Sequence, residues 1–529
     1  MALFSMTCKV DSVEGALATE DGRLRAMEWM RGLGIGKVYL ETYRHKHRIQ
    51  DRELLCRIRD SFRQGGFEVS GCITPTQMSR RTATGWDICT CFTDPDGHRF
   101  LQEIVEFTAG IFDEIILDDF YFSSCGCPAC EAYRSRYAPK DGNAELMREV
   151  AGKYILAPAR RINPKCRFII KYPCWYEGYY AAGYDVVRES ELFDAAWIGT
   201  ETREPDSPNA GRRPQTAASW IQGWANAVSR GKCGGGWFDA IDTKPETFVE
   251  QARQTILGGA KEMLIHCYDY IGTDDPGIVI HGRDRKIAYG VADADALRRE
   301  TPALQKLMTF LAGMQPCGVS VPKQPNADPA ADQYLPGFVG MLGIPVVPSD
   351  SLNDAPAYFL GAQCAGFETL SSVLKRLESE SVPFVATANL LRAAGRRIPS
   401  EETVTLRKYG ERSFCLNTGG DHWELMNLPQ KDLDEMRNLL LEPFGIRFFA
   451  PSKVSLHLFR NGRGYCCAVE NFRNESVHAL LTLGNDSYSP VLCLPENGNG
   501  SSTSIGNGTY ELKLAPRSFL LLSENGKFE

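Results

Sequence analysis

Apolar runs rich in β-branched and aromatic residues recur along the first half of the chain, and each is followed by a segment of helical periodicity. These runs predict eight strands, at residues 3–8, 37–42, 67–74, 114–119, 167–172, 193–200, 234–239 and 262–268. Helical segments between them include 22–33, 52–65, 100–112, 145–161, 217–229 and 244–258, the last preceded by Thr243 as a candidate cap. Eight alternations over roughly 270 residues predict a (β/α)8 TIM barrel, with a large open α/β sheet as the alternative.

The pattern changes after the barrel. A helical segment at 291–314 is followed by a stretch rich in Pro, Ala and Asp, 315–334, which predicts a linker. Strand-like residues 357–360 and 383–387 flank a helix-like segment at 367–379, as in a smaller α/β domain, and short strands separated by turns begin near residue 452. The predicted domains are a catalytic barrel over 1–314, a smaller α/β domain over 330–450 and a β-sandwich over 452–529.

Composition narrows the range of partners. The chain of 529 residues is 43% hydrophobic and 24% charged, as in an ordinary soluble protein. Its net charge of -7 argues against nucleic acid or an anionic membrane as the main partner. The start, MALFSMTCKV, lacks a basic segment followed by a long apolar run, and the 18 cysteines are spread through apolar segments. We therefore expect a reduced, cytoplasmic compartment.

Acidic residues at strand ends are the first candidates for chemistry. Asp118 and Asp119 close the apolar run of the fourth strand, Glu201 follows the sixth, Asp239 ends the seventh and Asp269 lies just beyond the eighth. Parallel barrel strands deliver such residues to one mouth, where acid and base groups meet in a cleft. Since side chains alternate along a strand, one of Asp118 and Asp119 is expected to face the cleft while the other tunes its pKa or binds a sugar hydroxyl.

Three thiols follow the acid pair on one tight loop, at Cys125, Cys127 and Cys130. A closed tetrahedral zinc site needs a fourth ligand, and Cys91 and Cys89 on the preceding barrel loop are the candidates. Four thiolates leave no open coordination position, so the spacing predicts a structural Zn²⁺. The alternative is a set of unrelated thiols.

Aromatic and cationic residues collect at the same strand ends. Ring faces stack against sugars, and cations bind hydroxyls or acidic groups. The predicted substrate-binding residues are Lys171, Trp175, Arg203, Trp237, Tyr121 and Asp269.

The segment DDFYFSSCGCPACEAYRSRY resembles glycoside hydrolase family 42, the three-domain β-galactosidase type, in which a CxCxxC zinc loop follows the acid/base carboxylate of strand four. The upstream CFTDP resembles the place where that family supplies its fourth thiolate, which implies Cys91 as the ligand. The order of barrel, smaller α/β domain and β-sandwich is similar too. One difference is that the family's Asn-Glu pair is Asp118-Asp119 here, and its strand-seven glutamate falls near Asp239, so the resemblance does not carry the β-galactosidase substrate with it.

The resemblance also implies self-association, since the middle domain of such enzymes helps to build a trimer. The apolar run PGFVGMLGIPVVP is long for a solvent-facing loop and points the same way, to a homo-oligomer, either trimer or dimer.

These observations predict a glycoside hydrolase that cleaves a terminal glycosidic bond of an oligosaccharide or glycoside. Asp119 is the predicted general acid/base and Asp239 the nucleophile or its inverting equivalent, with Asp118 and Glu201 in support. A rival assignment pairs strand four with Glu201 instead. Two other functions stay open: an inactive carbohydrate-binding protein on the same scaffold, and a barrel aldolase that uses Lys171 as a Schiff base.

Overall fold

The computed structural model describes residues 4–205, 212–272, 278–279, 287–288, 290–329, 331–399, 401–460, 464–496 and 500–524. The chain divides into two compact units. The first comprises Met1–Ala210, Val228–Thr255 and Ala260–Thr301, and the second comprises Gly211–Ala227, Ile256–Gly259 and Pro302–Glu529. None of the helices in the described ranges is both long enough and apolar enough to cross a bilayer.

The first unit contains the predicted barrel. Its eight parallel strands are β1 (Phe4–Cys8), β2 (Ile35–Arg44), β3 (Glu68–Ile73), β4 (Glu114–Leu117), β5 (Arg167–Tyr172), β6 (Ala195–Gly199), β7 (Cys233–Asp239) and β8 (Glu262–His266). Each strand pairs with the next, and β1 pairs with both β2 and β8, which closes the sheet. The fold prediction is therefore confirmed, and the open-sheet alternative is wrong because the first and last strands are hydrogen-bonded to each other.

Helices connect the strands of the barrel. Those before β5 are α1 (Val10–Glu14), α2 (Glu20–Gly32), α3 (Arg52–Gln64), α4 (Pro95–Ala109), α5 (Pro128–Arg134), α6 (Gly142–Val150) and α7 (Ala157–Ile162). Those after it are α8 (Tyr179–Ala182), α9 (Val186–Leu192), α10 (Ala217–Val228), α11 (Pro245–Leu257), α12 (Tyr268–Ile271) and α13 (Val291–Leu311).

Side-chain caps start several of these helices. The Thr19 hydroxyl accepts the Gly22 N–H before α2, and the Asp51 carboxylate accepts the Leu54 N–H before α3. Thr243, the predicted cap of α11, donates its hydroxyl to the Ile241 carbonyl at 2.8 Å, so it stabilises the turn that leads into the helix.

The inside of the barrel is filled, so chemistry is confined to its ends. An apolar layer of inward residues includes Tyr39, Ile116, Ile169, Trp197 and Trp237. Beneath it, Lys37 on β2 bonds Glu114 on β4 at 2.7 Å and Glu262 on β8 at 3.1 Å.

The second unit begins with an α/β sheet. Its strands are β9 (Gln315–Cys317), β10 (Val319–Pro322), β11 (Val346–Ser349), β12 (Tyr358–Leu360), β13 (Phe384–Thr387), β14 (Thr405–Gly410) and β15 (Ser413–Asn417), of which β9 belongs to another sheet. The spatial order is β11-β10-β12-β13-β15-β14, parallel except for β14. Helices α14 (Leu335–Met341), α15 (Leu370–Ser379), α16 (Ala388–Ala393) and α17 (Gln430–Leu441) complete this part.

The remaining strands form a β-sandwich, as predicted. They are β16 (Arg447–Phe449), β17 (Val454–Arg460), β18 (Tyr465–Asn471), β19 (Val477–Thr482), β20 (Tyr488–Leu494), β21 (Ser501–Gly506), β22 (Thr509–Leu514) and β23 (Phe519–Glu524). One sheet has the order β9-β17-β18-β23-β20 and the other β16-β19-β22-β21.

Two sequence predictions are wrong in this unit. The predicted linker 315–334 contains β9 and β10, which the prolines concealed: Pro316 lies on an edge strand and Pro322 ends its strand, the two places where a missing N–H is tolerated. The apolar run PGFVGMLGIPVVP, predicted to be exposed, spans most of α14, a turn and the start of β11, and its residues 336–346 are buried. This run therefore gives no support to self-association.

Candidate active site and cysteine cluster

The carboxyl ends of the barrel strands bring the predicted acids to one mouth. Asp118 and Asp119 directly follow β4, Lys171 lies in β5, Glu201 is two residues beyond β6, and Asp239 ends β7. These strands are consecutive neighbours in the barrel, so side chains 30 and 52 positions apart in the chain come into contact.

A buried lysine joins two of the acids. The Lys171 ammonium is 2% exposed, donates to Glu201 Oε1 at 2.9 Å, and contacts Asp119 Oδ2. Two oxygens bound to one nitrogen lie within about 6 Å of each other, so Asp119 and Glu201 share the positive charge of one buried ammonium. Gly199 at the end of β6 makes room for this arrangement, because a Cβ there would lie 2.2 Å from Glu201 Oε2.

Asp239 is held by an arginine instead. Arg203 Nε donates to Asp239 Oδ1 at 3.1 Å and Arg203 Nη2 donates to Oδ2 at 2.8 Å, a bidentate pair that fixes the plane of the carboxylate. The Ile241 N–H donates to Oδ1 as well, at 3.1 Å. Arg203, which the sequence predicts to bind substrate, thus forms an ion pair with Asp239.

Asp118 belongs to a third group of contacts. Its Oδ2 accepts from Arg44 at 3.2 Å and from the Thr74 hydroxyl at 3.1 Å, while Oδ1 accepts the N–H of Asp119. Arg44 and Thr74 also bond Glu41 Oε1, at 2.8 and 2.6 Å. Sequence reasoning missed this group, although an acid near the end of the apolar strand KVYLETYR is the same signal that identified Asp118.

The acids differ in exposure and in pKa. The Asp119 side chain is 19% exposed, against 5% for Glu201 and 3% for Asp239. Burial raises the pKa of Asp119 to about 7, against the opposing effect of the Lys171 ammonium, and the neighbouring Asp118 and Glu201 raise it further. Burial also raises the pKa of Asp239, while the Arg203 guanidinium lowers it.

Residues of β8 close the site on the side of Asp239. His266 is the register partner of Asp239, its ring stacks on Trp237 at 5.2 Å, and its Nδ1 lies 2.8 Å from the Thr7 hydroxyl. Burial lowers the pKa of His266 well below its usual range, aided by the nearby cations Arg44, Lys9, Lys171 and Arg203, so the imidazole is neutral. Sequence reasoning had not included it.

The predicted substrate contacts divide into two groups. Trp237 lies under the Lys171 ammonium at 4.7 Å, Trp175 is half-buried, and Asp269 accepts the N–H of Lys9 at 3.0 Å. Tyr121 does not belong with them. Its ring is fully buried and its hydroxyl donates to the Met147 carbonyl, so it has no surface left to contact a sugar.

Four buried cysteines meet beside this mouth. The sulfur atoms of Cys91, Cys125, Cys127 and Cys130 all lie within 4.8 Å of one another. Cys91 Sγ is 3.8 Å from Cys127 Sγ and 3.7 Å from Cys130 Sγ, close to the roughly 3.8 Å between thiolates that a tetrahedral ion with 2.3 Å bonds requires. Four sulfur donors at this spacing are able to hold a metal ion.

Neighbouring polar groups surround the cluster. Arg81 Nη1 lies 3.8 Å from Cys127 Sγ, and Thr93 Oγ1 lies 3.0 Å from Cys130 Sγ. Such donors offset the charge of thiolates and orient them. Cys89, the other candidate for the fourth ligand, is buried nearby but is not one of the four clustered thiols.

Comparison with known proteins agrees with this architecture. Among solved structures, a catalytic mutant of Gan42B, a GH42 β-galactosidase from G. stearothermophilus, superposes with a TM-score of 0.65 at 11% identity, covering 99% of this chain and 98% of that one. A β-galactosidase of Bacillus circulans sp. alkalophilus has a TM-score of 0.64 at 10% identity, covering 99% of both chains. An α-L-fucosidase isoenzyme 2 of Paenibacillus thiaminolyticus has a TM-score of 0.63 at 10% identity over 100% of both. These likenesses concern the fold, and they confirm the resemblance to the three-domain glycosidases.

A sequence relative and a family model extend the comparison. An uncharacterized protein of Saccharolobus solfataricus is 21% identical over 365 residues, which cover 62% of this chain and 57% of that protein. The chain thus spans little more than half the length of this curated relative. The model described as the catalytic domain of probable glycosyl hydrolases matches residues 2–279, more than half of the chain. The chain therefore belongs to the family of probable glycosyl hydrolase catalytic domains.

Proposed function

We propose that this protein is a glycoside hydrolase in which Asp119 is the general acid/base and Asp239 the second carboxylate. The observation that carries the proposal is the contrast between the two acids. Asp119 is partly exposed and has a pKa of about 7, whereas Asp239 is buried and fixed by the bidentate contact with Arg203. A pair of carboxyl groups in unlike environments is the arrangement that glycosidic hydrolysis requires.

The proposed reaction has two roles to fill. The Asp119 carboxyl group gives its proton to the glycosidic oxygen as the bond from that oxygen to the anomeric carbon breaks. In a retaining reaction the Asp239 carboxylate bonds to the anomeric carbon, and a water molecule deprotonated by Asp119 then displaces it. In an inverting reaction Asp239 takes the proton of the attacking water instead. Either route consumes one water per bond cleaved.

Lys171 and Glu201 support Asp119 in this proposal. The ammonium group binds both carboxylates at once, so it keeps the acid/base side chain directed into the mouth. The same contacts argue against the aldolase alternative. Schiff-base formation needs a neutral amine. Burial lowers the pKa of Lys171, but the carboxylates of Asp119 and Glu201 outweigh it and raise that pKa above its usual value.

The substrate in this proposal is a carbohydrate. Trp175 and Asp269 are the proposed contacts, because they follow the carboxyl ends of β5 and β8, at the end of the barrel that carries the acids. Trp237 is 2% exposed and belongs to the apolar layer inside the barrel, so its proposed role is to support the Lys171 ammonium. Self-association is carried only by the family resemblance, and it stays a prediction.

The proposed role of Asp119 predicts a definite pH dependence. The group is active as an acid when protonated, so kcat/KM should fall tenfold per pH unit as the pH rises above about 7, the pKa of Asp119. The Lys171 ammonium lowers that pKa, and in Lys171→Met the descending limb should move to higher pH. A profile measured from pH 5 to 9 on one glycoside tests both statements. A descending limb that stays in place in Lys171→Met would show that another group controls it.

We further propose that the cysteine cluster holds one structural Zn²⁺, which would cross-link the loops after β3 and β4. Replacing Cys127 by serine should remove the metal and lower the free energy of unfolding by on the order of 3 kcal/mol. Metal analysis of protein purified without chelators, together with thermal melting, measures both effects. Cys89→Ser is the matched control, since that buried thiol lies outside the cluster and its loss should leave one zinc per chain. Metal-free wild-type protein would refute the assignment.

A further inference from the structure

Trp86 is the exposed end of an aromatic row beside the acid pair. Of the eight tryptophans, all of which the structure describes, it alone is exposed, with 49% of its surface accessible. Its ring centroid lies 5.5 Å from that of Phe120 and 6.2 Å from that of Phe122, and Phe122 lies 5.3 Å from Trp175. Phe120 directly follows Asp119 in the chain, so the row includes the residue next to the proposed acid/base.

The loop that carries Trp86 is fixed against the cysteine loop. Gly85 has a φ of +116°, and a Cβ there would lie 3.0 Å from the Ser124 carbonyl oxygen, so the backbones are in close contact. The Thr84 hydroxyl accepts the Gly126 N–H at 2.7 Å and lies 3.7 Å from Cys125 Sγ. The Trp86 carbonyl accepts the N–H of Cys89 at 3.0 Å. The indole is therefore presented to solvent from an anchored backbone.

We propose that Trp86 and Phe120 form a second subsite, which binds the sugar ring of the leaving group. This inference rests on the proposed glycosidase function and narrows its substrates to glycosides whose leaving group is itself a sugar. The C–H face of a pyranose ring is apolar and carries partial positive charge, so it packs on the negative face of an indole. A site that leaves a large aromatic surface in water gains by covering it with such a ring.

The position of the row assigns it to the leaving group. A general acid must contact the glycosidic oxygen, and the leaving group lies on the far side of that oxygen from the reacting sugar. Phe120 is the chain neighbour of Asp119, and Trp86 extends from Phe120 towards solvent. A sugar leaving group passing Asp119 outwards thus meets these two rings.

Two measurements test the subsite. The probes are lactose, cellobiose, xylobiose and mannobiose, and each is compared with the methyl glycoside of its own non-reducing sugar. In Trp86→Ala, kcat/KM for the disaccharide that is hydrolysed should fall about tenfold relative to kcat/KM for its methyl glycoside. Leu24→Ala, which removes an equally exposed apolar side chain from α2, should leave that ratio unchanged. Fluorine NMR of protein labelled with 5-fluorotryptophan, with the Trp86 signal assigned by Trp86→Phe, reports binding without turnover. The disaccharide should move that signal and the methyl glycoside should not.

The outcomes separate the subsite from the proposed function. Hydrolysis of a disaccharide with an unchanged ratio and an unmoved Trp86 signal would overturn the subsite and leave the glycosidase function in place. If no probe is hydrolysed but a disaccharide still moves the signal, the subsite stands and the proposed function fails. A Trp86 signal that responds to protein concentration and not to sugar would identify a contact between copies of the chain and overturn the subsite.

Discussion

Replacing Asp119 by asparagine should lower kcat about 10²- to 10⁴-fold, because the amide has no proton to give to the glycosidic oxygen. The side chain keeps its size and an oxygen to accept from Lys171, so the fold and the affinity for sugar should change little. Steady-state kinetics on a hydrolysed glycoside, with sugar binding measured by calorimetry, tests both halves of this expectation.

The leaving group supplies the control for this variant. A glycoside whose leaving group is already a weak base, such as a dinitrophenyl glycoside, needs no protonation, so Asp119→Asn should lose far less of its kcat/KM on that substrate. Equal losses of kcat/KM on both substrates would point to a structural defect. Near-normal turnover of both would exclude Asp119 as the acid/base. A wild-type protein that binds sugars and cleaves none would be the carbohydrate-binding protein.

Asp239→Gly should likewise lose at least 10³-fold in kcat, and sodium azide should restore turnover if Asp239 is the nucleophile of a retaining enzyme. The glycine leaves a space in which azide attacks the anomeric carbon, and the product is then a glycosyl azide. Product analysis by NMR identifies it. The variant leaves the Arg203 guanidinium without its ion-pair partner, so thermal melting must confirm that it folds. Asp239→Asn keeps a hydrogen-bond acceptor for Arg203 and is the companion variant.

The rival assignment is decided by the same experiments. Glu201 Oε1 bonds the Lys171 ammonium that also contacts Asp119, and Oε2 is buried with no hydrogen-bond partner among the described residues. If Glu201→Gln loses turnover while Asp239→Asn retains it, the second carboxylate is Glu201. With Asp239 as the second carboxylate, Glu201→Gln should mainly shift the pH profile, because Glu201 raises the pKa of Asp119.

Much of the scaffold could be predicted from local pattern. A buried parallel strand must be an apolar run, so the strand predicted at 167–172 is β5 itself, and that at 234–239 differs from β7 by one residue. The acid pair after β4 and the CxCxxC loop could also be recognised in the sequence, because the residues of each motif are close together in the chain. Predictions failed where one local signal is compatible with two structures. Proline is frequent both in linkers and at strand edges and ends, and Pro316 and Pro322 lie in strands where a linker was predicted.

The partners of the site residues depended on the closed barrel. Lys171 and Arg203 appeared equivalent as cations at strand ends, yet one joins Asp119 to Glu201 and the other fixes Asp239. Nothing local in the sequence specifies these pairs, because a contact between side chains 30 or more positions apart depends on which strands are neighbours and how far each extends. Strand content follows from short-range apolar pattern, whereas the unlike environments of Asp119 and Asp239 arise from burial and Coulomb interactions that exist only after the strands have closed.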